Sequence, residues 1–299
     1  MALWTENSII EKARRLLPGG EFLVDDCGLL ALESRQRLII STDSMQEGTH
    51  FNLNWHPPRL LARKLLNVNL SDIDASGGVP LGFTFNFGLS PDIAEGWIDT
   101  FLESLGDCAR GHAIKVFGGD TFRSSQGLHL TATVLGRVDR HLTRSGIKMG
   151  DSIYIDGQLG LSHEGLCALR SGERWNDQNI SPALSQHLDP RINIGLGVAL
   201  AQIPEVHACM DLSDGLSKDL AILAEINQTT IRMARSFIDS ELHGGEDYLR
   251  LFASSLTLEE LSKRFPFGFE RIAQVEAFQG SFLIDSLGQR IENHTFNHF

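Results

Sequence analysis

Asp25-Asp26, Asp43, Asp72, Asp120, Asp211 and Asp214 all fall at the ends of apolar runs, and the ends of elements are where sites are built. Carboxylate oxygens are hard ligands. Presented from several separate elements they suit magnesium, which keeps its waters, takes one or two carboxylates per ion and bridges to substrate phosphates. The chemistry such a pocket would do is the handling of a polyphosphate. Taken singly, each aspartate is as well explained as a turn residue or helix cap. Asp214, just before Gly215 and a helix from Leu216, is the best cap candidate. The set, not any one member, points to metal.

Gly118-Gly119-Asp120-Thr121 follows a predicted strand, where two glycines would let backbone N–H groups approach a phosphate. The chain has no G-x-x-x-x-G-K-[ST] and no G-x-G-x-x-G after a strand, which disfavours the common nucleotide-binding folds. Gly160-Leu-Ser-His-Glu-Gly165 has one residue too many for a serine nucleophile elbow, so Ser162 is expected to be a helix N-cap. His163-Glu164 lacks the second histidine of a zinc-protease helix. Arg144 and Lys148 lie in a glycine-bearing basic stretch of an acidic protein, where an arginine fork can grip phosphate or simply be solvated.

Lys and Arg total 26 against 38 Asp and Glu, a formal charge of −12, which repels a nucleic-acid backbone or an anionic membrane over most of the surface. Cys27, Cys108, Cys167 and Cys209 are widely spaced without a C-x-x-C pair, the pattern of a reducing cytoplasm rather than a disulfide framework or zinc site. The stretch Met1 to Ile10 has no basic region before an apolar run, and nothing approaches the ~20 apolar residues of a membrane span.

The elements that must position these groups can be read from periodicity. Arg37 to Thr42 predicts a strand with Asp43 at its end, and Pro57 to Leu70 a helix carrying Leu61, Leu65 and Val68, with Asp72 near its C-terminal end before Gly77-Gly78. Phe83, Phe85, Phe87 and Leu89 alternate as in a strand with one buried face. A helix with Ser90 as N-cap follows, its stripe Ile93, Trp97, Phe101 and Leu105, its end Gly111. Strands are expected at Ile114 to Phe117 and Leu128 to Val138, and Arg137 to Gly150 is the candidate boundary between domains at 1–138 and 139–299. Beyond it, Ser152 to Asp156 predicts a strand, Gly160 to Leu169 a helix, Arg174 to Asp189 a loop, and Pro190 to Ala201 a further helix. An amphipathic helix carries Leu216, Leu220 and Leu223, with strands at Tyr248 to Phe252, Arg271 to Phe278 and Ser281 to Asp285.

Read together, Asp25-Asp26, Ser41 to Phe51 (STDSMQEGTHF), Asn69 to Asp72 (NLSD), Gly118 to Thr121 (GGDT), Leu142 to Lys148 (LTRSGIK), Asp211 to Gly215 (DLSDG) and Gly244 to Tyr248 (GGEDY) resemble the thiamine-monophosphate kinase family. This is a branch of the aminoimidazole ribonucleotide synthetase-like superfamily. The resemblance implies two α/β domains, with the N-terminal sheet pairing across a homodimer into a barrel, ATP between the domains, and transfer of its γ-phosphoryl group to thiamine monophosphate. Carried over by position, magnesium ligands fall on Asp26, Ser41, Thr42, Asp43, Asp72, Asp120, Asp211 and Asp214, nucleotide contacts on Gly119, Asp120, Arg144 and Ser213, and acceptor contacts on His50, Glu246 and Phe296. A related enzyme with another phosphorylated acceptor, or a nucleotide-binding protein without turnover, would share the acidic motifs. His50, Glu246 and Phe296 favour the kinase. The chain departs from the family pattern at Glu21-Phe-Leu-Val24, at Asp74-Ala-Ser-Gly-Gly78 in place of an alanine-methionine-glycine run, and in the short path from Ser236 to Gly244.

Overall fold

The computed structural model describes residues 28–31, 37–90, 92–178, 181–266 and 268–292. Asp25, Asp26, Cys27 and Phe296 lie outside them. The first sheet contains β1 (Gly28–Ala31), β2 (Arg37–Gln46), β3 (Val79–Leu89), β4 (Lys115–Arg123) and β5 (His129–Val138), in the order β1-β2-β5-β3-β4. Among the described residues of this sheet only β3 and β4 pair parallel, joined by the crossover helix α2 (Glu95–Gly111). Alternation sends Ile39, Ser41 and Met45 of β2, Leu130, Ala132 and Val134 of β5, and Phe83, Phe85 and Phe87 of β3 to one buried face. Against that face pack α2, through Phe101 and Leu105, and α1 (Pro58–Ala75). Phe85 and Phe87 stack on Phe101, with ring centroids 5.8 and 5.2 Å from it.

The second sheet contains β6 (Ser152–Ile155), β7 (Val206–Asp211), β8 (Thr229–Met233), β9 (Arg250–Ser254), β10 (Glu270–Ala277) and β11 (Leu283–Ile284), in the order β11-β8-β10-β6-β9-β7. The helices of this half are α3 (Leu161–Arg170), α4 (Pro182–Leu188), α5 (Leu196–Ala201), α6 (Leu216–Ile226), α7 (Asp239–His243) and α8 (Leu258–Arg264). The architecture is mixed α/β with two sheets.

Helix α1 joins the two halves. Its apolar side (Leu61, Leu65, Leu66, Leu70, Ile73) packs on the first sheet. Its other side carries Lys64, Asn67, Ser71 and Asp74 at helical spacing, all buried, and these bond to the second half. Lys64 Nζ donates to His187 O at 2.9 Å, Asn67 Nδ2 to Pro190 O at 3.0 Å, and Ser71 Oγ to Asp211 Oδ2 at 2.7 Å.

Several expectations from local pattern are corrected. Asp43 is not at a strand end, because pairing with β5 continues from Asp43↔Ala132 to Gln46↔His129. The GGDT residues lie inside β4, where Gly119 is required by close approach: a Cβ there would stand 2.0 Å from Phe85 O. Helix α2 starts at Glu95 with Ala94 as N-cap, and Ser90 instead closes a turn through its carbonyl to Ile93 N. Ser162 is likewise inside α3, whose N-cap is Gly160. The expected loop before Asp189 contains α4, capped by Ser181, and the expected helix from Pro190 forms only at Leu196–Ala201.

Candidate functional site

Three of the aspartates converge where the halves meet. Asp43 comes from the middle of β2, its backbone N–H donating to Asn69 Oδ1 at 3.0 Å, so the sheet is tied to α1 at this point. Asp72, near the end of α1, accepts from Ser41 Oγ at 2.5 Å. Asp211 ends β7 and accepts from Ser71 Oγ. All three act electrostatically on the phenol of Tyr248. Burial pushes its pKa well above the usual value, and Glu246, Asp43, Asp211 and Asp72 push it further. One side chain therefore feels carboxylates from β2, α1, β7 and the loop before β9 at once.

That loop is built under strain. Glu246 and Tyr248 have φ of 64° and 51°, the left-handed region that non-glycine residues rarely adopt. Backbone bonds hold it: Glu246 N donates to Ser213 O at 2.8 Å, Tyr248 N to Leu212 O at 2.7 Å, and Leu212 N to Leu249 O at 2.9 Å. The DLSDG and GGEDY motifs are thus zipped side by side. Such strain persists where surrounding structure over-determines the conformation, and it clusters at binding sites.

Glu246 projects between two buried partners. Lys64 Nζ lies 3.0 Å from Oε1, and His187 Nδ1 lies 3.3 Å from Oε2 and 3.1 Å from Ser162 Oγ. Burial and then the Lys64 charge hold the His187 pKa well below the usual value, so the ring is neutral at neutral pH. The next residue, Asp247, is buried and accepts from Gly160 N at 2.9 Å and Ser162 N at 3.3 Å. Its pKa nevertheless rises to about 6, because burial outweighs those bonds.

Other expected site residues border this cluster. Ser213 supplies the carbonyl that Glu246 N binds. Asp214 pairs with Lys218 at 2.7 Å and does not cap α6, whose N-cap is Gly215 at φ 112°. The carbonyl of Arg144 accepts from Asn227 Nδ2 at 2.8 Å, and Thr143 O accepts from Cys209 N at 3.1 Å, fixing the LTRSG loop beside the strand that leads to Asp211. His50 closes the turn after β2, its Nδ1 accepting from Gln46 N at 3.0 Å. Thr42 and Asp120 are not brought to the cluster within this chain. Register places Ser44, Thr131, Asn86 and Asp120 in one row, and the neighbouring row holds Thr42, Thr133 and Thr84. Both rows face away from α1. Gly119 shares the row of Asp43, but three strand spacings separate them, about 14 Å.

The residues present fit magnesium by the chemistry of their donors, since Asp43, Asp72 and Asp211 offer hard carboxylate oxygens from three elements. Among the described residues no three carboxylates or imidazoles stand as a closed cage. Magnesium requires none, because waters and substrate phosphates complete its shell.

Residues 24–138 match the family described as AIR synthase related protein, N-terminal domain. Over 232 residues, 76% of this chain and 74% of the relative, the chain is 38% identical to the thiamine-monophosphate kinase of Leptospira interrogans. The chain belongs to the thiamine-monophosphate kinase family. Another thiamine-monophosphate kinase, from Buchnera aphidicola, is 33% identical over 298 residues, 92% of this chain and 91% of that one. The crystal structure of the thiamine-monophosphate kinase from Stenotrophomonas maltophilia superposes with a TM-score of 0.75 at 26% identity, covering 97% of this chain and 98% of that one. AaThiL complexed with AMPPCP and TMP shares the fold with a TM-score of 0.86 at 24% identity, covering 99% and 97%.

Against the family's motifs, the residues that sequence reasoning missed are Lys64, Ser71, His187 and Arg250. Three of these had a readable signal. Lys64 and Ser71 recur with Asn67 and Asp74 along one side of a helix whose other side is apolar, and Arg250 opens a strand buried along its whole length.

Proposed function

We propose that this chain transfers the γ-phosphoryl group of ATP to the phosphate of thiamine monophosphate, giving ADP and thiamine diphosphate by direct in-line displacement. The observation that carries the reading is that Asp43, Asp72, Asp211 and Glu246, from motifs far apart in sequence, all act electrostatically on the phenol of Tyr248 in a member of this kinase family.

A phosphate monoester has its second pKa near ~6, so the acceptor oxygen is already anionic at neutral pH and the site needs no strong base. Catalysis then reduces to alignment and charge neutralisation. Magnesium, held by Asp43, Asp72 and Asp211, bordered by Ser41 and Asp214 and joined by Asp26, would offset the charge of the phosphates and the developing transition state. Arg144 and Ser213 approach the triphosphate from the second half. Glu246, stiffened by Lys64 and His187, holds the acceptor, with His50 and Phe296 completing its pocket.

The reading includes a homodimer. Among the described residues, strand β4 is exposed along its whole length and ends the first sheet with Val116, Phe117 and Phe122 in solvent, an unpaired apolar edge of the kind proteins cover. Pairing of two such sheets into a barrel would cover that edge; Thr42 and Asp120 would then contribute from the face turned away from α1, and Gly119 from the edge strand itself. Within this scheme residues 1–138 form the metal-binding and dimerisation domain and 139–299 the second. A cytoplasmic location accords with Cys108, Cys167 and Cys209 being free. Among the described residues no helix is long and apolar enough to cross a membrane.

The test is incubation of the purified protein with magnesium-ATP and thiamine monophosphate, with both products separated by chromatography. ADP and thiamine diphosphate in equal amounts are expected. Turnover of a different phosphorylated acceptor, with none of this one, overturns the acceptor assignment.

A further inference from the structure

Arg250 is fully buried, and its guanidinium does more than neutralise one acid. Nε donates to Asp74 Oδ2 at 2.7 Å, and Nη1 donates to Ser71 Oγ at 2.8 Å. Its backbone N–H is fixed by Asp156 Oδ1 at 2.7 Å. Asp74 is itself immobilised, accepting from Gly195 N at 2.6 Å and Gly197 N at 3.0 Å. It also opens the stretch where the chain departs from the family's alanine-methionine-glycine pattern.

The direction of the bonds is dictated by chemistry. A guanidinium only donates, so the Ser71 oxygen must accept from Arg250. The single hydroxyl proton of Ser71 is then left for Asp211 Oδ2, 2.7 Å away. Burial lowers the Arg250 pKa, but Asp74, Asp156 and Asp211 more than reverse this and keep the cation charged. A buried ion pair made only for stability would need Asp74 alone, and such pairs are weak contributors to stability. Here the fork continues to the serine beside Asp72 that binds Asp211.

We propose that Arg250 is a positioning residue of the phosphotransfer site: acting through Ser71, it fixes the Asp211 carboxylate in the orientation that meets the divalent cation carrying the phosphates. This rests on the reading of Asp211 as a cation ligand. Groups that orient a metal ligand change metal affinity when removed, commonly by about 10–100-fold.

The experiment measures the affinity of Mn2+ for the full chain in the presence of AMPPCP, with thermal unfolding recorded on the same samples and affinities referred to the folded fraction. Ser71→Ala is expected to weaken Mn2+ binding by about 10-fold or more, with an unchanged acceptor KM. Ser71→Thr, which keeps the hydroxyl, restores the affinity at least in part. Arg250→Lys keeps a charge beside Asp74 but cannot fork to Ser71, so it weakens Mn2+ to a similar extent. Wild-type affinity in folded Ser71→Ala or folded Arg250→Lys overturns the proposal, while a weakened Asp211→Asn in the same series leaves the ligand reading standing. Wild-type affinity in Asp211→Asn overturns the ligand reading and the proposal with it.

Discussion

Lys64→Met removes an ammonium from between two acceptors while keeping the volume of its stem. Lys64 is 1% exposed, with Nζ 3.0 Å from Glu246 Oε1. Breaking a buried ion pair by removing one partner costs about 3–5 kcal/mol. Glu246 keeps 30% exposure and can rehydrate, so this part falls to about 2 kcal/mol. The His187 carbonyl left without its donor adds about 1 kcal/mol. A total of about 3 kcal/mol lowers the unfolding midpoint of a chain this size by roughly 6–12 °C. A second readout separates this from ordinary core damage. For both His56 and His187, burial lowers the pKa most and Lys64 is the next cause. Without the lysine both pKa values climb toward 6.5, while burial keeps them below it. Depressed histidines contribute stability that is complete above the unfolded pKa and is lost as pH falls below it. The variant should therefore lose less stability than wild type between neutral pH and pH ~5. Denaturant unfolding across that range, with NMR titration of the imidazoles, measures both effects. A midpoint within about 2 °C of wild type, together with unmoved histidine titrations, would refute the reasoning.

For Asp247, whose pKa rises from 3.8 to about 6 on folding, stability is lost as pH rises through that interval, by about 3 kcal/mol in all. Asp247→Asn should flatten that part of the stability profile relative to wild type, and parallel profiles would contradict the assignment. Glu246→Gln should raise the KM for thiamine monophosphate more than the KM for ATP, and equal increases in steady-state kinetics would remove Glu246 from the acceptor pocket. Phe117 is 58% exposed on the edge strand, so Phe117→Glu should shift the species seen by light scattering from dimer to monomer; a monomeric wild type would rule out the homodimer.

Period and punctuation carried much of the fold. The alternation of Phe83, Phe85 and Phe87 and the stripe of Trp97, Phe101 and Leu105 are each visible within a dozen residues, because their burial is a property of one strand or helix. Strand ends were less legible. Thr42 and Asp43 look like a boundary, yet the β5 partner that carries the strand on to Gln46 is about ninety residues away in sequence. The same limit hid the face on which Asp120 lies, since that depends on register across β2, β5 and β3. Asp72 and Asp211 were legible as aspartates at element ends, while Asp43 was legible as a residue type but lies inside β2. Their convergence was not, because it depends on α1 offering one side to each half of the chain. Lys64, Ser71 and Asp74 recur along that helix at a helical period, and the polar stripe they form was the available sign of its second face.

The central claim is that carboxylates from both halves act together on the phosphates. Its most direct test is kcat with magnesium-ATP and thiamine monophosphate for wild type, Asp43→Asn and Asp211→Asn, each checked for an unchanged unfolding midpoint. Loss of roughly 10²–10³-fold in both variants, with the fold intact, is the predicted result. Wild-type rates in both would contradict it.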